Sequence, residues 1–370
     1  MNDPRDWNNH SRWEAAVSLA ERMVARGDFR AVAFQAYEGE FSPCVRLGTQ
    51  RDGQPLDGNS LFLVASLTKP VVALTVLDLV QDGTLSLNER ICDLLPEWNT
   101  NEKRRITVRH LLSHTSGLPD QLPNNQELRA RGASLEEFYQ HILSTPLDFA
   151  PGSRVQYQSM GFVVLGELVR RLTGENLGTA VRKRIFEPLG MTDSYLGLAD
   201  HPEAESILAR VTSVELDAEQ AATAGNWNSA YWQSLGAPWG GMLSTPVDML
   251  TFCASHFRAG PGKSRFLPYP VLLESMVNQL PFLEDMNPRD RSCRPWGLGW
   301  RLNWVGHRET FGDFLSEETV GHWGATGALM WLDPRWERAC VLCCSRPTSE
   351  SRIPLIRLSN AIQSAMESDD

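Results

Sequence analysis

The sequence predicts an α/β fold joined to a mainly helical part: an antiparallel sheet flanked by the N- and C-terminal helices, with a helical domain inserted. Two observations carry this expectation. Strand-like segments lie near both ends of the chain, and the stretch between about 65 and 239 reads as helices and loops. The sheet domain is therefore expected at 1–64 together with 240–370, the insertion at 65–239, and a site in the cleft between them. At 370 residues the chain is long enough for two interlocked parts.

The elements follow in order. An amphipathic helix over about 11–26 leads to strands at 31–37 and 44–49. A short strand then precedes the run VASLTKPVVALTVLDLV at 64–80, apolar on nearly every face as in a helix buried all round, with Gly83 as its stop. Thr107 caps a short helix through His114, and Ser134 with Glu137 forms a capping box for 135–144. Helices follow at 159–172, ended by Gly174, and at 176–186, and Thr245-Pro246 opens another. The C-terminal third supplies strands at 296–304, 327–332 and 338–344, with a turn at Asp333-Pro334. Leu355, Leu358, Ile362 and Met366 mark a closing amphipathic helix.

Composition narrows the function. Hydrophobic residues at 42% and charged residues at 22% exclude a disordered chain, and a net charge of −10 argues against nucleic acid as a partner. The polar start MNDPRDWNNH lacks the apolar core of a secretory signal, and the apolar stretch 61–80 is broken by Lys69, Pro70 and Asp78, so no membrane partner is expected. Seven scattered cysteines suit free thiols in a reducing cytoplasm, the expected location. The Cys340-Val-Leu-Cys343-Cys344 run has no second pair at zinc spacing, so its thiols are read as buried small hydrophobes; no metal or cofactor is expected.

The chemistry concentrates at Ser66 and Lys69. Residues three apart share a helix face, and Pro70 places them in the first turn, where unpaired N–H groups favour developing negative charge. A lysine removed from water loses proton affinity, so its neutral amine can activate the adjacent hydroxyl. The bland alternative, a capping serine beside a lysine reaching for solvent, is the favoured reading of S-x-x-K taken alone, because the pattern is short and common.

Further segments decide between them. Ser66-Leu-Thr-Lys69, Tyr157-Gln-Ser159 and His322-Trp-Gly324 occur in that order, with ITVRHLLSHTSGLPD at 106–120, FEPLGMTDSYL at 186–196 and WGGMLSTPVDMLTF at 239–252 between them. This set resembles the serine β-lactamase and penicillin-binding-protein family, in particular its class C β-lactamase, D-alanyl-D-alanine carboxypeptidase and family VIII carboxylesterase branch. The resemblance implies a β-lactamase/transpeptidase-like fold and a serine hydrolase working through an acyl-enzyme. It implies Ser66 as nucleophile, Lys69 and Tyr157 sharing proton transfer, and an oxyanion hole from the N–H groups of Ser66 and Ala325. Ser159, His322, Trp323 and Gly324 are implied to line the substrate site. An ester, amide or peptide of small size is the expected substrate.

Two departures bear on specificity. Ser159 stands where the family usually has Asn and so lacks an amide donor, and His322 replaces a lysine common in β-lactamases, exchanging a fixed charge for a titratable one. Both weaken the case for an efficient β-lactamase. A binding protein on the same fold is the rival of another class, but Ser66, Lys69 and Tyr157 are all retained. His110 and His114 sit four apart without the Glu of H-E-x-x-H, so zinc is not expected. Trp227, Trp232, Trp239, Trp296, Trp300 and Trp323 fall in segments approaching the cleft, and of these Trp323 is the one expected in the site. Glu317-Glu318 reads as a solvated loop face.

Overall fold

Ten strands are described: β1 (Ala31–Glu38), β2 (Glu40–Phe41), β3 (Val45–Gly48), β4 (Phe62–Leu63), β5 (Tyr195–Leu196), β6 (Met242–Ser244), β7 (Arg301–Leu302), β8 (Val320–Gly324), β9 (Ala328–Asp333) and β10 (Arg338–Cys344). They belong to a computed structural model that describes residues 7, 10–257, 267–304, 311–348 and 352–366. The large sheet runs β2-β1-β10-β9-β8-β7, with β3 also on β1, and every pairing in it is antiparallel. N- and C-terminal strands thus meet at β1 and β10, where Phe34 faces Leu342.

Period-two alternation gives this sheet two buried faces. Ala328, Met330 and Leu332 of β9 and Ala339, Val341 and Cys343 of β10 enter one core, while Leu329, Trp331, Cys340, Leu342 and Cys344 enter another. The second core is closed by the helices Ser11–Arg26 and Ile353–Ser364, whose Trp13, Ala16, Ala20, Leu355, Leu358 and Ile362 form their apolar stripes. The first is closed by the helix Pro246–Ala254 and continues into the helices Thr68–Gln81 and Met160–Thr173. Six of the seven cysteines are free thiols, four of them buried; the side chain of Cys293 lies outside the described residues, as does most of the segment 1–9. Among the described residues no helix is long and apolar enough to cross a membrane.

Three local expectations are corrected. The helix opened by Thr107 ends at Leu112 rather than His114, because His114 takes a left-handed φ of +59°. The 176–186 helix runs on through a π-helical turn at Arg182–Phe186 to Leu189 and stops at Gly190. The expected strand at 296–304 shrinks to β7 and one bridge, Trp296 to Arg301. There the backbone folds against the helix Thr68–Gln81: a Cβ on Gly299 would lie 2.4 Å from the Ala73 Cβ, and the Gly299 N–H donates to Leu112 O at 2.8 Å.

Candidate active site

The small sheet β4-β6-β5 sets the position of Ser66. After β4 the Val64 N–H donates to Met242 O at 3.0 Å, and Ala65 then turns sharply with φ +48°. Such a value costs a non-glycine residue energy and persists only when its surroundings hold it. Here Thr68 does so: its Oγ1 donates to Ala65 O at 2.6 Å and accepts from Met242 N–H at 3.1 Å. The turn leads into a 3-10 segment, Ala65–Leu67, and the helix Thr68–Gln81, so Ser66 lies in the first turn, half-buried among buried neighbours. Its N–H belongs to the set that helix geometry leaves without an intrahelical acceptor.

Lys69 is fully buried. Its Nζ lies 3.2 Å from Ser66 Oγ, donates to Trp239 O at 2.7 Å, and sits 4.6 Å from the centre of the Tyr157 ring. Burial pushes its proton affinity down to about 7, partly opposed by the Asp120 carboxylate. At neutral pH a large fraction of Lys69 is therefore the free amine. Tyr157 donates to Ser66 Oγ at 2.8 Å, and burial raises its phenol above the ordinary value. Desolvation outweighs the pull of the Arg301 charge toward the phenolate. Tyr157 rests as a neutral hydrogen-bond donor to Ser66, and Lys69 brings an amine to the same hydroxyl.

Strand β8 forms the opposite wall. Gly324 passes so close to the segment before Ser66 that a Cβ there would lie 2.3 Å from Val64 O, and Thr326 Oγ1 donates to Leu63 O. Ala325, next in the chain, is exposed at this point of close approach. His322 is buried, with Nδ1 2.8 Å from Trp323 O; a carbonyl only accepts, so the proton sits on Nδ1 and Nε2 offers a lone pair. Burial and the nearby Lys69 push its pKa down to about 3, so the imidazole is neutral through the working pH range rather than a titrating charge.

Trp323 is corrected. Strand alternation sends its side chain to the face opposite His322, into the core under the terminal helices, with the Arg352 guanidinium 5.3 Å from its ring. Trp296 instead brings its ring beside the reacting groups, 5.9 Å from Tyr157 and 6.0 Å from His322. Trp232 and Trp239 pack edge-to-face, and Trp300 is fully buried against Phe252. Ser159 is also spent differently from expectation: its hydroxyl donates to Asp120 Oδ1 at 2.6 Å, so it holds a carboxylate in the site. Asp120 had no chemical signal of its own in the sequence beyond its place in the family-like stretch 106–120. Arg301, 6.0 Å from the Trp296 ring, adds a positive charge felt by Tyr157 and His322. His110 turns back to accept from Thr107 N–H in the helix cap, away from His114.

The profile of the family described as Beta-lactamase matches residues 22–362. The chain belongs to the β-lactamase family. Within that β-lactamase family it is similar to Esterase EstB of Burkholderia gladioli, 37% identical over 203 residues that cover 48% of this chain and 52% of EstB. The aligned stretch thus spans about half of that relative. It is also similar to Penicillin-binding protein 4 of Amycolatopsis lactamdurans, 27% identical across 74% of this chain and 68% of the relative. Among solved structures, D-amino acid amidase from Ochrobactrum anthropi SV3 superposes with a TM-score of 0.74 at 25% identity, covering 98% of this chain and all of the other. The β-lactamase/transpeptidase-like fold expected from the sequence is the one observed.

Proposed function

We propose that this β-lactamase-family protein is a serine hydrolase that cleaves small esters, or amides and peptides of the D-amino-acid type, through an acyl-enzyme on Ser66. The observation that carries the reading is the hydroxyl of Ser66 held by both Lys69 and Tyr157. The neutral Lys69 amine takes the Ser66 proton as Oγ attacks the substrate carbonyl carbon. The oxyanion that forms is met by the N–H groups of Ser66 and Ala325. Tyr157, the acid nearest Oγ, gives its proton to the departing oxygen or nitrogen, and the Lys69 ammonium stabilises and reprotonates the phenolate. Water then attacks the acyl carbon with the same groups in reverse roles.

The relatives supply the substrate class, since one is named an esterase and a structural neighbour a D-amino acid amidase. Penicillins are the second reading, favoured by the similarity to a penicillin-binding protein. Against high β-lactamase efficiency stand the neutral His322 and the Ser159 hydroxyl engaged by Asp120.

Intact-protein mass after exposure to a p-nitrophenyl ester and, separately, to a penicillin tests this directly, with wild type beside Ser66→Ala. Wild type should gain one acyl group and release product, and Ser66→Ala should do neither while folding normally, since the lost cap costs only about 1 kcal/mol. Turnover by a clean Ser66→Ala preparation would refute the assignment. A penicillin adduct that outlasts the ester adduct would mark penicillin as an inhibitor rather than a substrate.

A further inference from the structure

We infer that His114 is a positioning residue for Tyr157, gripping the chain on both sides of it and acting through hydrogen-bond acceptors rather than as a base. The inference rests on the reading of Tyr157 as the proton donor at Ser66. Residues 154–158 are in no helix or strand, and the helix that follows begins at Met160. Something other than regular structure must therefore fix the phenol.

His114 is placed to do so. Its carbonyl accepts from Gln156 N–H at 3.0 Å and its Nδ1 accepts from Gln158 N–H at 3.1 Å, so one residue takes the N–H groups before and after Tyr157. Its ring lies 4.9 Å from the Tyr157 ring on one side and 4.3 Å from Trp296, edge to face, on another. The left-handed φ of +59° brings carbonyl and ring to the same short segment. Among the described residues only Ala65 and Glu337 share that kind of backbone without being glycine, and Ala65 immediately precedes the nucleophile. Two further contacts hold Gln158: Ser116 Oγ donates to its Oε1 at 2.5 Å, and its Nε2 donates to Leu111 O at 3.2 Å.

The protonation state suits the role. An Nδ1 that accepts from a backbone N–H cannot carry a proton, so the proton is on Nε2 and the ring is neutral. Full burial, with Lys69, His322 and Arg301 as the ionisable groups facing it, favours that neutral form. A neutral ring with its lone pair committed to Gln158 is a fixed acceptor, not a proton carrier.

The test is a double-mutant cycle on single-turnover acylation by p-nitrophenyl acetate, with His114→Ala and His114→Asn each made in wild type and in Tyr157→Phe. Asparagine tolerates the left-handed backbone and offers an oxygen near the place of Nδ1. In wild type, His114→Ala should slow acylation roughly 100-fold, the scale of loss from a misplaced catalytic group, with KM changed little. His114→Asn should restore most of the rate. In the Tyr157→Phe background the alanine change should cost under about 3-fold, because the group it positions is gone. Equal losses in both backgrounds, or an unimpaired His114→Ala, would overturn the role. If the alanine variant does not fold, a folded His114→Asn as slow as Tyr157→Phe would overturn it instead. Tyr157→Phe alone acylating at the wild-type rate would remove the reading of Tyr157 itself, an outcome distinct from failure at His114.

Discussion

Lys69 is an ionisable group wholly removed from water, and that loss of solvent, only partly opposed by the Asp120 carboxylate, is the source of its chemistry. Acylation needs the free amine, so kcat/KM should rise with pH through about 7 and then level, as one base loses one proton. His322, held near 3, should leave no second inflection above pH 5, in contrast to the contribution expected of a titrating histidine. A pH series from 5 to 9 on a chemistry-limited ester checks both points, and a flat profile would contradict the role of Lys69. The S-x-x-K pair was legible in the sequence because helical spacing alone makes the two residues neighbours. The state of the phenol was not, because it depends on burial arriving from segments far away in the chain.

At the scale of elements, the first turn of the helix Pro246–Ala254 carries a group with a pH dependence of its own. Asp248 is buried in its first turn, where its Oδ2 accepts from Asp193 N–H at 2.8 Å and from Ser194 Oγ at 2.9 Å. Burial raises its carboxyl to about 6, above the unfolded value near 3.9, so the folded chain binds this proton more tightly. The group therefore favours folding below about pH 4, and that contribution is lost as pH rises through 6. Asp248→Asn carries no such loss, and its stability relative to wild type should improve by up to about 3 kcal/mol between pH 4 and 7, read from urea midpoints. Element by element, the caps at Thr107, Ser134 and Thr245 and the stops at Gly83 and Gly174 were readable because capping is local. The strand expected at 296–304 failed because Gly297 and Gly299 serve close tertiary approach there, with Ser275 O and Ala73 as the neighbours a side chain would meet.

Across the whole molecule, the site exists because β8, near the C-terminus, is pressed against the turn before Ser66. Gly324 is the contact: Val64 O at 2.3 Å and the Ala328 Cβ at 2.9 Å from an added Cβ leave no room. Gly324→Ala should force β8 away from the nucleophile turn, cost about 1–3 kcal/mol of stability, and slow acylation by about 10² to 10³ as the two oxyanion donors separate. Thermal unfolding and single-turnover acylation, measured together, check this; a full-speed variant would mean that the oxyanion hole lies elsewhere.

The sequence by itself determined most of the elements, the order of its three motifs and the pairing of Ser66 with Lys69, since all of these follow from local spacing, capping and resemblance. Only the tertiary structure decided what each side chain does. Strand alternation turned Trp323 away and left Trp296 beside Tyr157, Asp120 claimed the Ser159 hydroxyl, and His114 wrapped the segment around Tyr157. These outcomes depend on contacts between residues from about 40 to more than 130 positions apart, and on the loss of water around them, and neither quantity is encoded in any short stretch of chain.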